Sequence, residues 1–317
     1  MPITKHFLPF SIILVAVISC QKTPQNLATT EAQLGEKLFF DPILSRDSTI
    51  SCASCHRPEH AFADITPTSK GVFNRMGGRN TPSCMNMTNR NFYFWDGRAE
   101  TLEEQALGPI ENPVEMDLPL SIAVKRLRAN PYYYNSFINV FGKKPSKELI
   151  AKALSDFQST LETSKSPFDK FMREDDSTAI SASAKRGLDV FNGKGKCFDC
   201  HFGIDFTGND QFKSLGLYNG KDLTDKGRFE VTGKASDLGK FKVPGLRNIA
   251  MTAPYMHNGM HKTLVEVIEY YNEPDKFVKN SINRDSLLNK PLGLTQEEKK
   301  DLENFLLTLT DERFAKK

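Results

Sequence analysis

Cys52-Ala53-Ser54-Cys55-His56 and Cys197-Phe198-Asp199-Cys200-His201 decide how this 317-residue chain is read. Each stretch sets two thiols three positions apart, one helical turn, and follows them at once with an imidazole. C-x-x-C-H is the attachment signature of c-type haem: the thiols meet the two vinyl groups and the histidine faces the iron. Cysteine and histidine are scarce, six of each. A single chance match therefore has a probability on the order of 10⁻³ to 10⁻², and two matches far less. A structural zinc site would also use C-x-x-C pairs, but zinc does not need histidine directly after the second cysteine both times. A thioredoxin-like redox motif would sit in a βαβ pattern, and none is visible. Three disulfides would suit six cysteines in an exported chain, yet the pairing of four of them with histidine argues for two covalent haem c groups instead.

Working outward, Gly35, Leu38 and Phe39 before the first motif are echoed at the same internal spacing by Gly187, Val190 and Phe191 before the second. Each set reads as a helix packing on its haem, so the chain is a duplicated module. The two histidines stand 145 positions apart, room for one small cytochrome c-like domain around each. The length agrees, since one hydrophobic core usually takes roughly 100 to 200 residues. Helical signals dominate. Thr101 with Glu104, Thr263 with Glu266 and Thr295 with Glu298 have capping-box spacing. Apolar stripes of helical period run through Ile150, Leu154, Phe157 and Leu161, through Leu264, Val267, Ile268 and Tyr271, and through Leu302, Phe305, Leu306 and Leu309. The seven glycines from Gly203 to Gly239 read as a long loop over the second haem, with room for short strand pairs. The expected fold is mainly α, two cytochrome c-like domains over 32–175 and 176–317, each with one covalent haem. The boundary falls at the polar Asp175-Asp176-Ser177-Thr178 stretch.

Charge excludes rather than identifies. Lys plus Arg number 42 and Asp plus Glu 39, a net charge of +3, so no global field recruits nucleic acid. Lys5 and His6 precede an apolar run from Phe7 to Ile18, too short to span a bilayer and shaped like an export signal. It ends in Val17-Ile18-Ser19-Cys20, which resembles a bacterial lipobox. Residues 1–20 are thus expected to be a lipoprotein signal peptide, with lipid on Cys20, and 21–31 a polar tether to the periplasmic side of a membrane.

A second layer of residues carries a resemblance. Phe94-Trp95-Asp96-Gly97-Arg98-Ala99 holds the only tryptophan; Glu104-Gln105-Ala106-Leu107-Gly108-Pro109 and Asn112-Pro113-Val114-Glu115-Met116 follow. With Gly78-Arg79-Asn80-Thr81-Pro82, Phe241-Lys242-Val243-Pro244-Gly245-Leu246-Arg247-Asn248 and Thr252-Ala253-Pro254-Tyr255-Met256-His257-Asn258-Gly259, the chain from about residue 33 to 310 resembles the bacterial di-haem cytochrome c peroxidases. The resemblance implies reduction of hydrogen peroxide with electrons from a small cytochrome c or cupredoxin, and it leaves a homodimer open. It makes the haem at Cys52, Cys55 and His56 the low-potential peroxidatic centre and the one at Cys197, Cys200 and His201 the electron-receiving relay. Gln105 and Glu115 match the distal residues. A buried carboxyl suits that place, because splitting the O–O bond needs a proton carried between the two oxygens, and Gln105 would position it. Trp95 would lie between the haems as a relay; the plainer alternative is a core indole. Asn80, Thr252 and Pro254 match the positions that bind a calcium ion at the domain interface, where amide and carbonyl oxygens suit a hard cation.

Two positions depart from the family pattern. Many members carry a histidine after the first motif that blocks the peroxidatic iron until the other haem is reduced; that position is Val72 here, which cannot ligate. His60, one turn past the proximal ligand, is expected at a propionate or the surface. An open first haem, competent without reductive activation, is the expectation. The usual distal methionine of the second haem aligns with Tyr271, as in the MauG-like branch, whose members mature tryptophan tryptophylquinone. A phenolate would lower the potential where a methionine raises it. Met256 and Met260 are the alternative ligands, and Tyr271 could equally be core. Cys84 is expected as a buried small apolar residue and His257 as a contact to a propionate. An oxidase acting on a partner protein and a plain di-haem electron carrier are the competing functions.

Overall fold

The structure, a computed structural model, describes Met1 and residues 26–173 and 175–315. The signal segment, Cys20 and the first part of the tether lie outside the described residues. Twelve α-helices follow along the described chain: α1 (Glu31–Phe40), α2 (Cys52–Cys55), α3 (Leu102–Glu111), α4 (Leu120–Ala129), α5 (Pro131–Phe141), α6 (Lys147–Ser159), α7 (Pro167–Arg173), α8 (Ala182–Asn192), α9 (Phe229–Thr232), α10 (Leu264–Asn272), α11 (Pro274–Phe277) and α12 (Gln296–Leu307). The one sheet among the described residues is a two-residue pair, β1 (Phe212–Lys213) antiparallel to β2 (Phe241–Lys242). The fold is mainly α, and the glycine-rich segment over 203–239 holds only β1, α9 and short turns.

Two apolar clusters form the cores. The first gathers Leu34, Leu38, Phe39, Ile110, Tyr133, Phe137, Ile150, Leu154 and Phe157; the second gathers Val190, Phe191, Phe206, Leu264, Ile268, Leu302, Phe305 and Leu309. Burying each such side chain contributes roughly 1.5–3 kcal/mol, enough together to fix both helix pairs. The same device builds both. In α1, a methyl group on Gly35 would stand 1.8 Å from the Ala153 carbonyl oxygen of α6; in α8, one on Gly187 would stand 1.9 Å from the Asp301 carbonyl oxygen of α12. Each glycine lets two helix backbones touch, and one turn on, an aromatic pair closes the crossing: Phe39 on Phe157 and Phe191 on Phe305, both at 5.1 Å between ring centres. The helix α7 docks on the second cluster, with Phe168 5.5 Å from both Phe206 and Phe305.

The caps follow the sequence only in part. Thr101, Thr263 and Thr295 each accept the backbone N–H three residues on. Only Thr295 with Glu298 closes a full box; Glu104 and Glu266 accept instead from the N–H of Glu100 and Lys262, the residue before the cap. These reversed contacts still satisfy an otherwise free amide at each helix entry.

Candidate functional site

The first attachment motif is a single helical turn. The N–H of Ser51 donates to Ser54 Oγ (3.0 Å), and the N–H of His56 closes the turn on the Cys52 carbonyl (2.8 Å). Ala61 and Phe62, both left-handed, fold the chain back so that the Phe62 carbonyl meets His56 Nδ1 at 3.0 Å. A carbonyl can only accept, so Nδ1 carries the proton and Nε2 keeps its lone pair. The ring is buried, which lowers its pKa and keeps it neutral, the form a metal needs. The second motif repeats the arrangement as a turn: the N–H of His201 reaches the Cys197 carbonyl (2.8 Å) and His201 Nδ1 donates to Phe206 (2.9 Å).

Each motif opens on a cavity. One of about 720 Å³ is lined by Cys52, Cys55 and His56 together with Gln105, Glu115 and Arg98. The other, about 270 Å³, is bounded by Cys197, Cys200 and His201 and by Val267, Ile268 and Tyr271 of α10. Pockets of roughly 300–1,000 Å³ hold flat organic cofactors and similar ligands, and both cavities are walled mainly by apolar groups. The four motif cysteines form no disulfide, and burial holds their thiols protonated, Cys52 and Cys197 up to about 12. Enclosed, unpaired thiols beside an imidazole with a free nitrogen fit covalent haem in both places.

Above the first cavity, Glu115 is held by its own turn, with Asn112 Nδ2 donating to Glu115 Oε1 at 2.8 Å. Burial raises its pKa; the charge of Arg98 and the Asn112 bond pull it partly back. Gln105, on α3, lines the same cavity, and its side chain has no hydrogen-bond partner among the described residues. The arrangement offers a proton-holding carboxyl, an uncommitted amide and a guanidinium on one side of the cavity. Arg98 is fixed by Asp96 (2.9 and 3.0 Å) and lies 3.5 Å over the Phe94 ring. Sequence reasoning quoted Arg98 within a motif but gave it no role. Its signal was available: an arginine two residues past an aspartate in a tight turn.

Trp95 stands between the two cavities and walls both. Its indole N–H donates to the Asn80 carbonyl (2.8 Å), and its own carbonyl accepts from the N–H of Lys242 (2.8 Å). Asn80 is buried, and its amide N donates to the Thr66 carbonyl at 3.2 Å, which leaves Oδ1 to accept. Asn80, Thr252 and Pro254 all line the second cavity beside Trp95. A hard cation would find one amide oxygen and nearby carbonyls there. No cluster of three or more His, Cys, Asp or Glu suited to a metal occurs among the described residues.

Val72 is fully buried, and its N–H donates to the Glu115 carbonyl (2.8 Å). A methyl group on Gly71 would stand 2.3 Å from the Val114 and Glu115 carbonyl oxygens, so the loop is packed flat on the Glu115 turn. His60 is half-buried and does not line the first cavity. The stripe of α10 resolves the choice at residues 270 and 271: Tyr270 is fully buried with its hydroxyl on the Leu215 carbonyl (2.6 Å), whereas Tyr271 faces the second cavity. Burial, then the two neighbouring thiols, push the Tyr271 phenol well above its usual range. Met256 lines the same cavity; Met260 packs instead against the small cluster of Leu217, Tyr270 and Val278. His257 also lines the second cavity, stacked 3.8 Å from Phe241 and 3.9 Å from Asp225; burial lowers its pKa to about 4. Cys84 is buried against the first cavity.

Comparison with known proteins returns one consistent picture. A family profile described as di-haem cytochrome c peroxidase matches residues 29–177. The methylamine utilization protein MauG of Methylorubrum extorquens is 38% identical over 297 residues, 92% of this chain and 80% of that protein. A cytochrome c551 peroxidase of Pseudomonas aeruginosa is 41% identical over 243 residues, 74% of this chain and 69% of that one. The crystal structure of a MauG-like protein associated with microbial copper homeostasis superposes with a TM-score of 0.80 at 32% identity, covering 92% of this chain and 93% of the other.

Proposed function

The chain belongs to the di-haem cytochrome c peroxidase family, and on that premise we propose that it reduces hydrogen peroxide to water with electrons from a small cytochrome c or copper protein. The observation that carries the reading is that Glu115 and Gln105 line one cavity with Cys52, Cys55 and His56. The haems, when bound, supply a redox-active iron at each motif and exchange electrons. Everything else falls to the chain. Each peroxide takes up two electrons and two protons, and Glu115 is the group placed to move a proton from one peroxide oxygen to the other. Burial raises its pKa above the ordinary carboxylate range and so favours the proton-holding form. Gln105 orients the peroxide by hydrogen bond, Asn112 holds the carboxyl in place and the charge of Arg98 acts on it through space.

Electrons enter at the second module. Phe198 within the motif and Ile204 just after it are exposed, 48% and 74%, apolar surface beside the motif suited to a transient donor. Trp95, touching both cavities and gripped by a residue from each half, is the relay. Val72 stands where a ligating histidine would be, and its loop is pinned to the Glu115 turn, so the chain offers no side chain from this loop that would close the first haem. Tyr271 is the side chain that would hold the second haem iron opposite His201, with Met256 the alternative; Met260 does not line that cavity. A calcium ion at Asn80, Thr252 and Pro254 would brace Trp95 between the halves. We divide the chain near residue 175, with α7 reaching back across the division onto the second core. Residues 1–20 act as an export signal, Cys20 carries lipid and the folded part stands in the periplasm. No helix among the described residues is long and apolar enough to cross a membrane. Tyr271 beside the second cavity, with the 38% identity to MauG, favours one second reading, oxidation of a partner protein.

Peroxide turnover with a reduced small cytochrome, repeated with Glu115→Gln, tests the proposal. Fast turnover that collapses in the variant supports it; turnover that survives the substitution removes Glu115 from the chemistry. Oxidation of a partner protein without turnover selects the second reading.

A further inference from the structure

The two histidines align the two modules through the backbone carbonyls that each one faces. His56 faces the carbonyls of Phe62 and Pro82, and His201 faces those of Phe206 and Pro244. Counting back two residues from each proline gives Asn80 in the first module and Lys242 in the second. Both grip Trp95 by main-chain hydrogen bonds of 2.8 Å, Asn80 through its carbonyl and Lys242 through its N–H. The same place in the duplicated fold therefore carries an oxygen that seeks a cation in one module and an ammonium that seeks an anion in the other.

Lys242 is short of anions. Its side chain is only 9% exposed and lines the second cavity. Its ion pair, to Asp210 Oδ1, is 3.6 Å long, beyond good hydrogen-bond reach. Arg90, 6% exposed, approaches that same oxygen at 3.4 Å, while the other Asp210 oxygen already accepts from the N–H of Asn91 at 2.8 Å. Two buried cations thus share one carboxylate oxygen. An under-compensated buried charge is costly, and an ammonium whose one carboxylate is long and shared calls for a further partner. Burial pushes the Lys242 ammonium down to about 8, the direction expected where its surroundings supply too little negative charge.

We infer that Lys242, with Arg90 beside it, is the anchor for a carboxylate of the second haem, and that this pair sets that haem's potential. The inference rests on the reading of Cys197, Cys200 and His201 as a haem site. The two propionates are the only carboxylates such a cofactor would bring, and one of them would complete the charge count that Asp210 leaves open. Positive charge beside a haem favours the reduced form, which carries one positive charge fewer. Lys242 is a positioning residue: it acts on the haem through the propionate and takes no part in peroxide chemistry.

The experiment is a spectroelectrochemical titration of the holoprotein, read separately for the two haems, after a pyridine haemochrome count. With two haems per chain, Lys242→Met should lower the reduced-to-oxidised ratio of the second haem at fixed potential about tenfold, ~59 mV for a one-electron couple. The first haem should stay within about twofold, and Lys242→Arg should restore most of the ratio. Should Lys242→Met fail to mature, Asp210→Asn serves instead and should shift the ratio the other way. Two haems and an unchanged ratio in these variants overturn the inference while leaving the haem reading intact. A wild-type ratio that depends on added chloride or sulfate, and loses that dependence in Lys242→Met, also overturns it, since a free anion then fills the place. Fewer than two haems in the wild-type chain would overturn the haem reading itself.

Discussion

The two halves of this molecule are built alike and equipped differently. Both cross a helix over a glycine, close the crossing with a phenylalanine pair at 5.1 Å and set a neutral histidine against a backbone carbonyl. The first half then places Glu115, Gln105 and Arg98 opposite its histidine; the second places Tyr271 and the apolar face of α10 there. Duplication supplied two equal sites for holding a cofactor, and the few residues opposite each histidine divide the labour. On the proposed reading, polar groups that can move a proton suit the first site to peroxide. An apolar wall with one phenol makes the other a place for an electron.

That division can be broken at single residues. The largest effect is expected from Glu115→Gln, which should slow peroxide reduction by about 10²–10⁴-fold, the usual worth of a general acid–base group, while leaving reduction of the second haem by its donor unchanged. Equal damage to both halves would show that the carboxyl is structural. The shared scaffold is tested by Gly35→Ala and Gly187→Ala. A methyl group forced to within 2 Å of a backbone oxygen should cost about 1–3 kcal/mol or more in each, read as similar losses of thermal stability. A large loss in one and none in the other would deny that the helix pairs are equivalent. Trp95→Phe removes the bond to the Asn80 carbonyl, a loss of about 0.5–1.5 kcal/mol in denaturant unfolding, and should also slow electron transfer between the haems, measured by flash reduction.

The smallest effects are in pH. Because burial raises the Glu115 pKa, the form that accepts a proton appears only above the ordinary carboxylate range, so turnover should rise with pH there. Arg98→Met removes the charge that favours the carboxylate and should move this rise to higher pH; Glu115→Gln should abolish it. Stability follows the opposite course. A group whose pKa is raised on folding contributes stability that is lost as pH climbs through the folded value. Glu115→Gln should therefore be at least as stable as the natural chain at neutral pH, with the advantage closing below the ordinary carboxylate pKa.

Much of this was legible in the sequence because the attachment chemistry is local. The spacing of two thiols and an imidazole is dictated by one cofactor edge, and it is written twice in five consecutive residues. The repeat of Gly35 with Phe39 and of Gly187 with Phe191 was legible as a duplicated helix expected to pack on its haem, but the partner helix that each glycine lets approach, distant in sequence, was not. What periodicity could not separate was core from cofactor wall. The stripe of Leu264, Val267, Ile268 and Tyr271 reads as core, and it is the face turned to the second cavity, with Tyr270 as the core residue beside it. An apolar ring packs against a flat cofactor and against side chains by the same physics, so hydrophobicity alone does not tell them apart. Lys242 was illegible for another reason: its meaning lies in what Asp210 and Arg90, distant in sequence, leave unpaired.

The measurement that reaches the division of labour most directly is the electron paramagnetic resonance and electronic spectrum of the fully oxidised holoprotein. One high-spin five-coordinate haem and one low-spin six-coordinate haem, with peroxide consumed by the oxidised protein without prior reduction, is the predicted result. Two six-coordinate low-spin haems, with turnover appearing only after one is reduced, would contradict it.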